Sequence, residues 1–148
     1  MKISKKGDYA LRALIHLALR HGEGITQMQD IARKEGIPGK FLEQILLLLK
    51  GAGYLQSRSG VGGGYIMAKA PKAITLGEIV RLIDGPLAPV PCAAERPAEA
   101  CTCPEPRTCP VRLMMLGIRR EMSALFDGRT VEDMLRLAPG AGTLAFDI

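Results

Sequence analysis

The sequence has few of the residues that most often carry catalysis: it contains no Trp, three Phe, three Tyr and only two His. Both histidines, His16 and His21, fall in or beside the first predicted helix. Neither has a Ser, Cys or carboxylate nearby in a pattern that suggests a catalytic triad. The sequence therefore predicts no enzyme. A cysteine-based redox carrier is an alternative, but it would not need the basic helix-turn-helix predicted below.

Long apolar runs are also missing. The longest aliphatic run, residues 45–49, is far shorter than the roughly 18 residues that span a bilayer. The first six residues, MKISKK, lead into an amphipathic pattern and not into the apolar stretch of a secretory signal. A chain of 148 residues has room for one domain plus an oligomerisation element. We expect a cytoplasmic protein with no membrane partner.

The charge is distributed unevenly along the chain. Residues 1–72 carry twelve Lys or Arg and five Asp or Glu, whereas residues 73–148 carry eight and ten. A basic half is typical of a protein that neutralises phosphates with one face. The alternative is an ordinary solvated basic surface.

Apolar spacing in the first 50 residues predicts a helix-turn-helix unit. The first helix begins after Ser4 and ends near Arg20, the second is capped by Thr26 and stopped by Gly36, and the third covers residues 40–50. About 100° of rotation per residue gives the third helix an exposed face of Lys40, Glu43, Gln44, Leu47 and Lys50, and a buried face of Phe41, Leu42, Ile45, Leu46, Leu48 and Leu49. Such a polar face can read base edges or phosphates, although an ordinary amphipathic surface helix has the same pattern.

A glycine-rich hairpin follows. Residues 54–57 and 65–68 are predicted strands, and the loop between them has four glycines in five positions. With so little side-chain bulk, its backbone can approach a phosphate or a minor groove. Thr75 and Glu78 form a capping box for a fourth helix that ends near Gly85. We predict a mainly α fold, in which residues 1–85 form a winged helix-turn-helix DNA-binding domain.

Residues 86–110 contain seven of the ten prolines and all four cysteines, Cys92, Cys101, Cys103 and Cys109. The prolines predict a loop without regular structure. Nothing indicates export, so metal or redox chemistry is favoured over disulfides. Without a Cys-x-x-Cys pair, a zinc knuckle is disfavoured, and thiolates spread along a loop suit a two-iron or a four-iron cluster. Reduced thiols and a noncanonical zinc site stay open as alternatives.

Residues 111–148 predict a dimerisation helix and a tail. The apolar residues repeat with the spacing of a heptad seam: Val111, Met115, Ile118, Met122 and Leu125. A second copy of this helix is the simplest partner for the seam, which predicts a homodimer. The alternative is that the seam packs on the chain's own core. A short final helix is predicted after Thr130.

Several segments together carry a family resemblance. They are the first 14 residues, MKISKKGDYALRAL, the step FLEQ at 41–44, the segment GGGY at 62–65, and Cys109 at the start of a long helix. The chain resembles the Rrf2 family of bacterial regulators, which includes the iron-sulfur regulator IscR, the nitric-oxide sensor NsrR and the cysteine-metabolism repressor CymR. The resemblance implies a dimeric winged helix, with the third helix in the major groove and the wing at the minor groove.

The same resemblance implies a ligand set for an iron-sulfur cluster. Cys92, Cys103 and Cys109 match the three cysteines of cluster-binding members, and Cys101 is a spare thiol that could replace Cys103. Asp8 matches the partner-donated fourth ligand of the NsrR branch, whereas the IscR branch has a His where this chain has Arg112. The alternative for Asp8 is a first-turn carboxylate that the helix dipole stabilises.

The resemblance and the chemistry of the side chains together predict the contacts with double-stranded DNA. We expect a pseudo-palindromic operator, base contacts from the third helix and phosphate contacts from Lys5 and Lys50. The family wing commonly has an Arg at the position of Ser59, whereas here the Arg is Arg58. The function indicated is a regulator, expected to be a repressor, that senses nitric oxide, redox state or iron-sulfur status. A cluster-free, CymR-like regulator controlled by a partner is the alternative. The predicted DNA-binding residues are Lys40, Phe41, Glu43, Gln44, Arg58, Ser59 and Gly60.

Overall fold

The computed structural model describes residues 1–97 and 100–139. Within these ranges the order of elements is α1 (Lys5–Leu19), α2 (Met28–Glu35), α3 (Gly39–Gly51), β1 (Leu55–Arg58), β2 (Gly64–Met67), α4 (Leu76–Asp84), α5 (Pro110–Asp127) and α6 (Val131–Leu135). The strands β1 and β2 pair antiparallel in one hairpin. The predicted mainly α winged helix is confirmed. The end of the predicted tail, residues 140–148, lies outside the described residues.

Local capping chemistry fixes most of the helix ends. The Ser4 side chain accepts a hydrogen bond from the backbone N–H of Gly7, and Thr75 and Glu78 form the predicted capping box of α4. Gly36 ends α2 in the left-handed conformation, with φ of 63°. Each of these predictions rested on residues within one turn of the helix end, and each is confirmed.

The prediction that Thr26 caps α2 is wrong. Gln27 holds that position and makes no side-chain cap bond. Thr26 is buried instead, and its backbone N–H and C=O pair with Tyr65 at 3.0 and 2.8 Å. The segment before α2 is thus bridged to β2, which fixes the base of the hairpin against the helices.

The core lies between α1, α3 and the elements that surround them. Fully buried side chains include Leu14, Ile31, Leu42, Ile45, Leu46 and Leu49. The predicted final helix, α6, is present and packs on α1, and its first residue, Val131, is completely buried. Backbone hydrogen bonds from Leu76 N–H to the Arg129 carbonyl and from Val131 N–H to the Ile74 carbonyl, both 2.9 Å, join its start to the segment that precedes α4. The chain therefore returns to the N-terminal core after α5.

The long helix α5 packs with one side only. It contacts α4 and a 3-10 turn at Pro91–Ala93, which is the one regular piece among the described residues of the predicted loop. Proline at the start of this turn fits its geometry because the missing N–H would have had no partner there. Of the predicted seam, Met115 and Met122 are half-buried on the packed side, while Val111, Ile118 and Leu125 are exposed. The exposed apolar stripe of α5 is Val111, Met114, Ile118 and Leu125.

Two carboxylates hold α4 to its neighbours. The Arg81 guanidinium on α4 makes a bidentate ion pair with Asp127 at the end of α5, with N to O distances of 2.6 and 3.0 Å. Asp84, the last residue of α4, accepts hydrogen bonds from the backbone and hydroxyl of Ser4, the cap of α1. The helices α5, α4 and α1 are therefore linked in series. None of the described helices is both long and apolar enough to cross a membrane.

Candidate nucleic-acid interface and cysteine site

The surface of α3 is wider than the sequence predicted. Lys40, Glu43, Gln44, Leu47 and Lys50 are exposed as expected. Phe41 and Leu48, which were predicted to be buried, are 46% and 38% exposed. At about 100° per residue they lie side by side next to Gln44, while the buried residues fill an arc of only about 100°. The exposed face of α3 therefore combines polar groups with an apolar edge.

The start of α1 adds positive charge beside this edge. The rings of Tyr9 and Phe41 meet edge to face, with centroids 6.1 Å apart. The Lys5 ammonium lies 5.2 Å from the centroid of the Tyr9 ring, and the Arg12 guanidinium lies 5.8 Å from it. Lys5, a predicted phosphate contact, is thus positioned next to the N-terminal end of α3, where its charge can act on a ligand of that surface.

The hairpin wing projects Arg58, Ser59 and Gly60 as exposed residues, with Val61 fully exposed at the tip. Two of its glycines are needed by the fold itself. A Cβ on Gly63 would overlap the carbonyl oxygen of Arg58, and a Cβ on Gly64 would overlap that of Thr26. Some of the glycines are therefore required by close packing at the base of the hairpin. The prediction had considered only the small side-chain bulk of the loop, which lets its backbone approach DNA.

The four cysteines come together at the start of α5. All four are half-buried and reduced. Cys109 is the N-cap residue of α5, and its Sγ lies 4.0 Å from the Sγ of Cys103. The Cys101 thiol lies near the thiols of Cys103 and Cys92, and both act on its pKa. The fold therefore places the four thiols near one another in the order Cys92, Cys101, Cys103, Cys109, which we call the row of thiols.

The row shifts the acidity of its members. The Cys103 thiol lies between those of Cys101 and Cys109. Its interaction with the Cys101 thiol, and to a smaller extent with the Cys109 thiol, raises its pKa to about 11. Hydrogen bonds from the backbone and then the thiol of Cys103 lower the pKa of Cys101. The backbone N–H of Arg112, in the first turn of α5, lowers the pKa of Cys109. Cys101 and Cys109 thus form the thiolate, which is the form that binds metals, more readily than an ordinary cysteine does.

A cavity of about 460 Å³ opens beside the row and is lined by Cys92, Cys101, Arg107 and Arg112, among others. The Arg112 guanidinium donates to the backbone carbonyl of Cys92 at 3.2 Å, so it holds that part of the loop on α5. A second ion pair, Arg119 to Glu95 at 3.2 Å, fastens the same loop further along α5. The thiols, the cavity and two arginines of α5 form one unit.

Comparison with known proteins gives this unit a context. The model of the Rrf2 family, described as an iron-dependent transcriptional regulator, matches residues 3–137. The chain belongs to the Rrf2 family. It is 38% identical over 149 residues to an rrf2-like HTH-type transcriptional regulator of Rhodobacter capsulatus, and the match covers 98% of this chain and 99% of that protein. Its relatives are named as transcriptional regulators, so this Rrf2 protein is a DNA-binding regulator and not an enzyme, as predicted.

Two solved structures show the same fold. CymR, the global cysteine regulator of B. subtilis, is 36% identical, with a TM-score of 0.77 over 93% of this chain and 98% of that chain. T. potens IscR is 27% identical, with a TM-score of 0.73 over 99% of this chain and 94% of that chain. The relatives of this Rrf2 protein thus include both CymR and IscR.

Asp8 lies on α1 in a network of its own. Its carboxylate pairs with Lys5 and Arg12 at 3.8 and 3.7 Å, and 47% of its side chain is exposed. Arg12 also contacts the carboxylate and the backbone carbonyl of Glu35 at the end of α2. In the part of the chain that the structure describes, no three His, Cys, Asp or Glu side chains are already arranged around a common metal position. Within one chain, then, Asp8 does not join the cysteines.

Two functional features were missed by the sequence. The sequence analysis noted Arg112 only because the IscR branch has a His at its position. In the structure, Arg112 binds the backbone carbonyl of Cys92 and lines the cavity. The contact of Tyr9 with Phe41 was also missed. A signal existed for the first, since Arg112 lies three residues after Cys109 and hence one helical turn above the thiols.

Proposed function

We propose that this Rrf2 protein is a homodimeric cytoplasmic repressor that senses nitric oxide, redox state or iron-sulfur status through a cluster held by its cysteine loop. The observation that supports the proposal is the row of four half-buried thiols at the start of α5, beside a cavity lined by two arginines. Thiolates are the ligands that iron-sulfur clusters use, so the donor set fits. When bound, the cluster would supply iron open to attack by a diatomic gas or an oxidant.

For DNA reading we propose a pseudo-palindromic operator contacted by α3 and the wing. Gln44 would pair bidentately with adenine, Glu43 would accept from cytosine and Phe41 would contact a thymine methyl group. Lys40 also lies on the exposed face of α3, near base edges, and Lys5 and Lys50 would contact phosphates. From the wing, Arg58, Ser59 and Gly60 would approach the backbone or the minor groove. Exposure of all of these residues supports the assignment.

The contacts of the loop give a route from the cysteines to α3. Arg112 and Arg119 hold the loop on α5, the Arg81 to Asp127 pair joins α5 to α4, and Ser4 with Asp84 joins α4 to α1. The α1 residue Tyr9 then packs against Phe41 of α3. We propose that Cys92, Cys103 and Cys109 hold the cluster, with the partner's Asp8 as the fourth ligand and with Cys101 as the alternative to Cys103.

Anaerobic purification followed by an ultraviolet-visible spectrum and iron and sulfide analysis tests the proposal. We expect visible absorption from thiolate-bound iron, bleached by Ala at Cys92, Cys103 or Cys109. A colourless protein that binds neither iron nor sulfide after anaerobic reconstitution would refute it and favour a regulator controlled by a partner. A colourless protein with bound zinc would favour the structural zinc site.

A further inference from the structure

We infer that a cavity between α4, α5 and the cysteine loop binds a small organic carboxylate that acts as an effector of DNA binding. This cavity, which we call the α4–α5 cavity, has a volume of about 310 Å³. Its lining includes Arg81, Pro86, Leu87, Glu95, Arg96 and Ser123. None of these residues is a cysteine or lines the cavity beside the row of thiols. The inference therefore goes beyond the proposed metal centre and does not depend on it.

The first argument is an unpaired hydroxyl group. The Oγ atom of Ser123 is buried and has no hydrogen-bond partner among the described residues, and Ser123 lines the cavity. One helical turn earlier on α5, the Nε atom of Arg119 is also buried and unpaired within the same part of the chain. Buried polar groups without partners are costly and uncommon in native proteins. A ligand with acceptor atoms in the cavity would give the Ser123 hydroxyl a partner.

The second argument is charge. In the lining, Arg81 is already paired with Asp127, and Glu95 is already paired with Arg119. Arg96 is the remaining charged residue of the lining, and it has no ion pair within residues 1–97 and 100–139. A guanidinium binds a carboxylate through two parallel hydrogen bonds. One negative charge balances Arg96, so a carboxylate fits better than a phosphate monoester, which carries close to two charges.

The third argument is the apolar part of the lining. Pro86 and Leu87 both line the cavity, and Leu87 is only 3% exposed. Small-molecule sites combine apolar walls with a few polar groups that orient the ligand. A volume of about 310 Å³ is at the lower end of the range for such sites. The cavity therefore fits a carboxylate with a short apolar chain.

The position of the cavity gives the ligand a route to the DNA-binding helices. The lining combines Arg81 of α4, Glu95 of the cysteine loop and Ser123 of α5. Asp84, at the end of α4 and just before the lining residue Gly85, binds the cap of α1. A ligand in the cavity would therefore contact the elements that connect α5 with α1, and a shift between them would move the DNA-binding helices.

The test uses full-length protein with pentanoate as the probe. Pentanamide is the neutral probe with the same carbon chain, and n-butyl phosphate tests whether a phosphate is preferred. Saturation-transfer NMR titrations give each dissociation constant, which for about seven non-hydrogen atoms is on the order of millimolar. Two variants, Ser123→Ala and Arg96→Gln, are compared with wild type. Arg120→Gln is the matched control, because Arg120 is exposed on α5 outside the lining.

We expect pentanoate to bind more tightly than either of the other probes. Arg96→Gln should weaken pentanoate binding by about tenfold or more, because a charged pair is lost, and should leave pentanamide binding unchanged. Ser123→Ala should weaken it by about threefold to tenfold. Urea unfolding should show no loss of stability in Ser123→Ala, because the hydroxyl has no partner in the described chain. A purely structural Ser123 would show the opposite pattern. Arg120→Gln should match wild type in every titration.

The effector role is measured with the chain's own promoter fragment. Pentanoate, compared with chloride at equal ionic strength, should change the operator affinity of wild type by at least about fivefold. The operator affinity of Arg96→Gln should not respond at the same concentration. Binding of pentanoate without a change in operator affinity would overturn the effector role.

Other outcomes would refute the site itself. If neither pentanoate nor n-butyl phosphate binds, the cavity holds only water and the inference is wrong. It is also wrong if n-butyl phosphate binds more tightly, or if Arg120→Gln weakens pentanoate binding as much as Arg96→Gln does. The proposed metal centre fails or stands separately. A colourless protein that binds no iron and still binds pentanoate would refute the iron-sulfur proposal and support this inference.

Discussion

At the scale of single residues, the closest packing between α4 and α5 depends on Gly77. A Cβ at this position would overlap the Asp127 carboxylate and lie 2.7 Å from Nη1 of Arg81, the two groups that join these helices. The carboxylate is on a short side chain at the end of α5, so it cannot move away without weakening the bidentate pair. Gly77 thus leaves space for the Arg81 to Asp127 pair, which is one of the contacts that connect the cysteine loop to the DNA-binding helices.

We expect Gly77→Ala to lower the free energy of unfolding by about 1–3 kcal/mol, as overpacking typically does. Gly51→Ala is the matched control, because Gly51 ends α3 with open space around it and Ala has the higher helix propensity. Urea unfolding of both variants measures the difference. Equal stability of the two would mean that Asp127 has room to shift, and that the pair does not constrain α5.

Gln44 is the residue we expect to carry most of the base discrimination on α3. Gln44→Ala should reduce the preference for operator over a scrambled site by about 1–3 kcal/mol, because a bidentate pair with adenine is lost. Fluorescence anisotropy at one fixed salt concentration measures it, since phosphate contacts depend strongly on salt. Glu132→Gln on α6 is the control and should change nothing. A Gln44→Ala protein with full specificity would place the reading face elsewhere on the helix.

Residues whose role is local could be predicted from the sequence, and residues whose role depends on distant neighbours could not. Ser4, Gly36 and the Thr75 to Glu78 box act within one helical turn, so their pattern was sufficient. Thr26 has the chemistry of a cap, yet its backbone pairs with Tyr65, 39 positions later, which no local pattern contains. Phe41 is apolar yet 46% exposed, and the Tyr9 ring that meets it edge to face comes from α1, which the local pattern of α3 does not contain.

At the scale of elements, α5 has two faces with different tasks. Its packed side holds α4 and the Pro91–Ala93 turn, while its exposed stripe of four apolar residues has no cover within the described chain. Helical spacing predicted an apolar seam, but it could not show that Met115 and Met122 turn toward the chain's own domain and that Met114 joins the stripe. The predicted strands, residues 54–57 and 65–68, each differ by one position from the observed β1 and β2. In the structure, Arg58 is therefore the last residue of β1.

We expect the exposed stripe of α5 to form the dimer interface. Ile118 is near its centre and 39% exposed in the single chain, so Ile118→Asp would bury an unpaired carboxylate on association, at a cost of several kcal/mol. Multi-angle light scattering should show monomers. Arg120→Asp places the same carboxylate on α5 about 200° away from Ile118 and should leave a dimer. If Ile118→Asp still gives dimers, the subunits meet through another surface.

At the scale of the whole molecule, the cysteine loop, α5, α4, α1 and α3 form one connected series. The sequence placed the four cysteines in one loop and the basic residues in the N-terminal half. It could not show that Cys103 and Cys109 lie together, nor which arginines fix the loop to α5, because both depend on where the loop folds back. In a dimer joined through α5, a change in the loop would alter the spacing of the two α3 helices, and half-sites one helical turn apart tolerate little error in that spacing.

The most direct test of this account is a titration of the chain's own promoter fragment with metal-loaded and metal-free protein at the same salt concentration. We expect the two forms to differ in operator affinity by at least about tenfold, or about 1.4 kcal/mol. Their affinities for a scrambled fragment of equal length should agree, because phosphate contacts do not depend on the spacing of α3 helices. Equal operator affinity of the two forms, with the metal verified by its visible absorption, would contradict the claim that the cysteine site controls DNA binding.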